Sequence, residues 1–365
     1  MQTRMHTHKF TTHSLIPTQA GIWFAEQLSQ TQSEFNVAHY IEISIDSASG
    51  YFDSEGLSLS IDEVLSKVDT LHSVYQETDE GVVQKFKPQP SLQGVLEYLD
   101  LSQATEPLVS ALHWMQEDLK QKISLTGGRP RYRHCLIQIG DAAKPHWLWY
   151  QRYHHIDLDG YSFSTISDAI IDLYNATNMK AITPDFTSFI DVIEEYQAYK
   201  SSSSYQEDKV FWSEYTDVLP EPVALITGAG ERTQAGVIRL EKCISSSFFK
   251  TPSFGKSMAK LMDAEVAMAS VFAYLYLVSG KQEICLGFPF MRRLGSVALN
   301  ATGPVVNVLP LKLALDADMT LMQVTRAMNK ALRQIRPRQR YEAQQIQRDL
   351  VSVGQPLFGP ILNYK

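Results

Sequence analysis

Residues 153–160 read "YHHIDLDG": two adjacent histidines, then an Asp-Gly step four and five residues after the second. The preceding "PHWLWYQRYHH" has the pattern of a strand, and the following "YSFSTISDAIIDLYNA" places Phe163, Ile166, Ile170 and Leu173 at helical spacing. The doublet therefore stands where a strand turns into a helix. Successive strand residues point to opposite faces, so the two rings diverge. In one reading both are half-buried and satisfied by neighbours. In the other, one ring supports the structure and the other faces a cleft. Convergence of both on a metal would need backbone distortion, and no third His or Cys is spaced to help. Asp159 is suited to bend back as an ion-pair anchor, and Gly160 admits close approach of a substrate or another backbone. An imidazole held this way near neutral pKa suits general acid–base work.

Working outward, "PRYRHCLIQIG" and the histidine strand flank "GDAAKP", which predicts an antiparallel hairpin. "TQAGIWFAEQLSQ" predicts a helix with Ile22, Trp23 and Leu28 on its apolar face, and "VAHYIEISI" a strand. "SIDEVLSKVDTLHSVYQ" predicts a helix capped by Ser60, with Glu63 completing a capping box. "NATNMKAITPDF" is turn-rich and places a lobe connection near 176–186, whereas "YKSSSSYQEDK" reads as a surface loop of the second lobe. Beyond it, "DAEVAMASVFAYLYLVSG" predicts a buried helix, "EICLGFPF" and "VVNVLPLKLAL" strands, and "TLMQVTRAMNKALRQI" an amphipathic helix capped by Thr320. Helices alternate with strands and hairpins, so the class is α/β with mixed sheets in two lobes.

The 365 residues suit two lobes, and 44% hydrophobic with 20% charged residues is a soluble globular composition. A net charge of −7 argues against a general nucleic-acid binder. Three separated cysteines fit a reducing cytoplasm, and neither a secretory signal nor an apolar run of membrane-spanning length is present. Arg326, Lys330, Arg333, Arg336, Arg338 and Arg340 form a basic stretch, either a solvated helix face or a landing site for an acidic carrier protein.

"HHIDLDG" matches HHxxxDG, and the chain resembles the condensation domains of nonribosomal peptide synthetases, relatives of chloramphenicol acetyltransferase. Further motifs follow in family order: "TQAGIW", "VDTLHSVY" with His72 where an arginine is usual, "SFIDVIEEYQAY", "GPVVNVLPL" with Val308 for a threonine, "YEAQQIQRD" and "PLFGPILNY". The resemblance runs from about residue 13 to the end and is strongest to domains that open catecholate-siderophore synthetases. It implies two acetyltransferase-like lobes, 13–178 and 179–365, in a V around a central tunnel. It further implies amide formation between a carrier-bound 2,3-dihydroxybenzoyl donor and a carrier-bound seryl acceptor in enterobactin-like siderophore assembly. Both substrates would arrive on phosphopantetheine arms, with no cofactor or metal bound by the domain itself. The implied partners are an aryl carrier protein and downstream adenylation and peptidyl carrier domains, acting with a monomer in the cytoplasm.

On this resemblance His155 faces the tunnel as base or positioning group, and the N–H of Gly160 serves a developing oxyanion. His154 is structural. Asp159 pairs with an arginine of the second lobe, Arg293 in preference to Arg292, and Asn307 lines the tunnel. Arg333 and Arg336 are the carrier-binding candidates. An epimerization domain, which shares HHxxxDG, and a non-catalytic docking fragment are the alternatives; the DxxxxD pattern of the heterocyclizing branch is absent. Family members continue past the last motif, so the second lobe is expected to be incomplete, with an open sheet edge and poor solubility when made alone.

Overall fold

The structure is a computed structural model and describes residues 11–29, 33–45, 52–88, 90–127, 129–141, 144–176, 184–223, 240–243, 263–350 and 356–364. Two compact units divide the chain: residues 1–201 with 291–306, and residues 202–290 with 307–365.

In the first unit, β2 (Asn36–Ser44), β5 (Leu96–Asp100), β6 (Tyr132–Gln138) and β7 (His146–His154) form a sheet of order β2-β7-β6-β5. The hairpin β6-β7 and the pair β2-β7 are antiparallel, and β5-β6 is parallel, so the sheet is mixed. Alternation along the central strand divides the core into two layers. Trp149 and Tyr153 join Leu57, Ile61 and Leu65 of α2 (Ser54–Ser66) and Ile166, Ile170 and Leu173 of α4 (Gly160–Asn175). Leu148 and Tyr150 pack instead with Ala111 and Met115 of α3 (Pro107–Leu119). A second sheet, order β1-β4-β3, joins β1 (Thr11–Ser14), β3 (Ser73–Thr78) and β4 (Gly81–Phe86).

Three sequence readings need correction here. In α1 (Pro17–Leu28) Trp23 is buried, but Leu28 is 86% exposed at the helix end. The helix read from Ser60 begins earlier, at α2, where Asp53 accepts the Gly56 N–H at 2.9 Å as its cap. Ser60 lies inside that helix and bonds the Gly56 carbonyl. The same helix stops at Ser66, so "DTLH" is a short 3-10 turn and "SVYQET" is strand β3. Val74 and Tyr75, β-branched and aromatic, favour a strand there, and β4 supplies the edge with which it pairs. Third, the serine run is a junction rather than a loop: α5 (Phe189–Lys200) ends there, and Ser202 caps α6 (Ser203–Thr216).

The first unit also extends past the 178/179 division read from the sequence. Phe189, Val192 and Ile193 of α5 pack with Ile16, Phe86, Ala298, Ala301 and Val305 in one apolar cluster. That burial ties α5 and residues 291–306 to the unit carrying the histidines. Most of the turn-rich stretch at 177–183 lies outside the described residues.

In the second unit, α7 (Asp263–Ser279) and α8 (Leu321–Ile335) cover the antiparallel pair β8 (Glu283–Phe290) and β9 (Asn307–Ala314). Thr320 and Gln323 form a complete capping box on α8. Ile361 makes a parallel bridge to Gly287. Among the described residues no helix is long and apolar enough to cross a membrane.

One buried histidine makes the first unit acid-sensitive. His134 Nδ1 accepts the Trp149 indole N–H at 3.2 Å, which leaves the ring proton on Nε2, 2.7 Å from the Tyr153 hydroxyl. Burial, with His39 nearby, pushes its pKa down to about 3. The unfolded chain takes up this proton near pH 6.5, whereas the folded chain does not until about 3. Its contribution is complete above pH 6.5 and is lost as pH falls toward 3, at up to about 1.4 kcal/mol per pH unit. Urea midpoints between pH 7.5 and 4.5 should fall accordingly, and His134→Gln should flatten that slope.

Candidate active site

The strand-to-helix junction is anchored residue by residue. His154, the last residue of β7, sits opposite Asn36 of β2, and the His155 N–H extends the ladder one step to the Phe35 carbonyl at 2.8 Å. The Asp157 N–H closes a turn on the His154 carbonyl at 3.0 Å. The Ile156 carbonyl accepts from Gln19 Nε2 (3.4 Å) and lies 3.3 Å from the Tyr75 hydroxyl. α4 then begins at Gly160.

His154 is fully buried. Its Nδ1 accepts the Ile156 N–H at 3.2 Å, which puts the ring proton on Nε2, 3.8 Å from the buried Glu26 carboxylate. His155 is less buried and less committed. It is half-buried, and among the described residues its ring makes no hydrogen bond; Nδ1 is shielded yet unpartnered. A backbone pinned on both sides thus presents an uncommitted imidazole.

Asp159 is buried and saturated. Its Oδ1 caps α4 by accepting the Ser162 N–H at 2.9 Å, and also accepts the Ser162 hydroxyl at 2.9 Å. Arg293 Nη2 bonds both of its oxygens at 2.9 Å, and the Val305 N–H reaches Oδ2 at 3.1 Å. With its acceptor sites taken, this carboxylate is an anchor and has no free lone pair with which to act as a base. Arg293 in turn donates to the carbonyls of Ala298 (2.6 Å), Ala301 (2.7 Å) and Gly303 (2.9 Å) and lies over the Tyr161 ring. Gly303 sits at φ +139°, and a Cβ there would meet the Phe189 ring at 2.2 Å. Only glycine lets the 291–306 segment close over the ion pair. It is Arg293 that reaches Asp159, whereas Arg292 bonds the Val305 carbonyl at 2.6 Å. Arg293 belongs to the first compact unit, so this pair lies inside one unit.

Gly160 is the exposed first residue of α4, and its N–H is among the donors that no helical carbonyl satisfies. In the second unit, Asn307 is buried: its amide bonds the carbonyls of Gln339 (3.0 Å) and Tyr341 (2.9 Å) and accepts the Ala343 N–H at 3.2 Å. These bonds brace the chain around α9 (Ala343–Asp349) and commit the side chain that the sequence reading placed along a tunnel. Arg326, Lys330, Arg333 and Arg336 are exposed, while Val324, Met328 and Leu332 bury the opposite face of α8. Arg338 stands apart from that surface, ion-paired to Asp208 at 2.8 Å. Among the described residues no group of His, Cys, Asp and Glu is arranged to hold a metal ion.

Sequence reasoning missed a second buried ion pair. Arg131 Nε and Nη2 bond the two oxygens of Asp157 at 2.8 and 2.9 Å. The only local signal was a carboxylate between the apolar Ile156 and Leu158.

The family model described as "Condensation domain" matches residues 9–365. Vanchrobactin synthetase VabF of Vibrio anguillarum is 43% identical over 355 residues, covering 96% of this chain and 12% of that protein. Enterobactin synthase component F of Escherichia coli K12 is 37% identical over 357 residues, covering 96% of this chain and 27% of that protein. The chain thus spans a minor part of these relatives. A point mutant of the starter condensation domain of rhizomide synthetase RzmA, solved in complex with C8-CoA, superposes with a TM-score of 0.79 at 26% identity, covering 95% of this chain and 77% of that one. The first condensation domain of the CDA synthetase, at 23% identity, shares the fold with a TM-score of 0.81, over 96% of this chain and 80% of that one. With the motif order, the anchored histidine and these matches together, the chain belongs to the condensation domains, the amide-forming acyltransferases of nonribosomal peptide synthetases.

Proposed function

We propose that this condensation domain, whose relatives include siderophore synthetases, joins a carrier-bound aryl donor, 2,3-dihydroxybenzoyl thioester, to a carrier-bound seryl acceptor. The observation that carries the reading is His155: a half-buried imidazole on a pinned backbone, unbonded to protein among the described residues.

The acceptor amine attacks the thioester carbonyl, the C–N bond forms, the C–S bond breaks, and the donor arm leaves as a thiol. His155 orients the amine, takes the proton it loses and returns it to the departing sulfur, an effect worth about 10²–10⁴-fold. The N–H of Gly160, at the positive end of α4, donates to the oxyanion that develops on the carbonyl. Arg293 balances the Asp159 charge beneath that helix end. Holding both thioesters at one place supplies a larger share, about 7–11 kcal/mol in well-oriented systems. Arg333 and Arg336 offer an exposed basic face to an acidic carrier.

The test combines the full chain with a donor carrier loaded with dihydroxybenzoate or an aliphatic acid, and an acceptor carrier loaded with serine or another amino acid. Mass spectrometry should find the aryl-seryl amide formed fastest. A racemised seryl thioester without amide would indicate epimerization, and carrier binding with neither product would indicate a docking role. Equal rates for all donors would remove the substrate assignment.

A further inference from the structure

The turn that carries His155 is held from beneath by a buried polar network that the reaction scheme does not use. Asp157 is two residues past His155, and both it and Arg131 are buried. The Arg131 guanidinium grips the carboxylate through two bonds and, from the same Nη2, donates to the Thr70 carbonyl (3.3 Å) and the Ser73 carbonyl (3.0 Å). The Tyr75 hydroxyl donates to Asp157 Oδ1 at 3.0 Å and lies 3.3 Å from the Ile156 carbonyl. Gln19 and Gln84 close the network around that hydroxyl. Burial and the Asp157 charge hold the Tyr75 pKa well above its ordinary value, so it remains a donor.

One cation therefore ties the segment around His72 to the histidine turn. His72, standing where the family resemblance calls for an arginine, turns its Nε2 to the Leu65 carbonyl at 2.8 Å. The guanidinium that braces this segment comes instead from Arg131, the residue before β6.

We infer that Arg131 and Asp157 are positioning residues for His155, a second ion pair acting on the same turn as Asp159–Arg293 but from the β3 side. The inference rests on the role of His155 proposed above and names what holds that ring in place. The ion pair fixes the side chain two residues beyond the imidazole, and the neighbouring Ile156 carbonyl accepts from Gln19 of the same network. Loss of the pair lets the turn shift, and displacement by about 1 Å costs roughly 10²-fold in a positioned reaction.

The experiment measures kcat and the KM for each loaded carrier in the full chain, well below the melting temperature of every variant. Asp157→Asn keeps the shape and removes the charge; it should lower kcat by about 10²-fold with both KM values within about twofold. Arg131→Lys keeps a cation but cannot bridge carboxylate and carbonyls together, and should fall between Asp157→Asn and wild type. It also serves if Asp157→Asn fails to fold. Hydrogen exchange at residues 155–157 should quicken in both variants while exchange in α2 stays unchanged. Folded variants with wild-type kcat, or with a raised KM alone, would overturn the inference. His155→Ala run alongside separates the two claims. If it is slow while the ion-pair variants are not, only the positioning role falls. If it turns over like wild type, the His155 mechanism falls and the positioning role with it.

Discussion

His155→Ala is expected to slow amide formation by about 10²–10⁴-fold and leave the melting temperature nearly unchanged. The ring makes no hydrogen bond among the described residues, whereas the backbone N–H that holds the turn to Phe35 survives the substitution. The adjacent position should behave in the opposite way. His154→Ala removes a fully buried ring, opens a cavity and takes the imidazole N–H that faces the buried Glu26 carboxylate, so its main effect is lost stability. Single-turnover rates with both carriers loaded, set beside thermal melts of the same preparations, measure the contrast. A His155→Ala protein with wild-type rate would remove the imidazole from the mechanism.

The second large effect is expected at Arg293. Arg293→Met strands the buried Asp159 carboxylate and leaves the carbonyls of Ala298, Ala301 and Gly303 without this donor. Breaking a buried pair from one side costs about 3–5 kcal/mol, a large part of the total for most domains. Asp159→Ala should cost a similar amount, since it also removes the cap of α4. The double variant should recover part of the loss, because no lone charge remains. It should not recover all of it, because the three carbonyls still lack their donor. Urea unfolding of the two single variants and the double gives the coupling directly. Strict additivity would mean that the pair is not a unit.

These expectations separate what was legible locally from what was not. Phe163, Ile166, Ile170 and Leu173 lie on one buried face because helix periodicity depends only on neighbours in sequence. The hairpin β6-β7 and the helix cap at Thr320 were readable for the same reason. Ser60 failed as a helix start because Asp53, seven residues earlier, caps the helix. Leu28 failed because an apolar residue at a helix end finds burial only if another element covers it.

The amino-acid sequence by itself determined the class of the fold, the strand–turn–helix that carries the histidines, and the family, since each is written in short-range pattern and motif order. The motif spacing pointed to Arg293, 134 positions from Asp159, but only the tertiary structure decided that Arg131, 26 positions from Asp157, meets that carboxylate. A buried carboxylate must find a cation, but desolvation does not say which one. Chain topology makes that choice, by bringing the residue before β6 under the histidine turn.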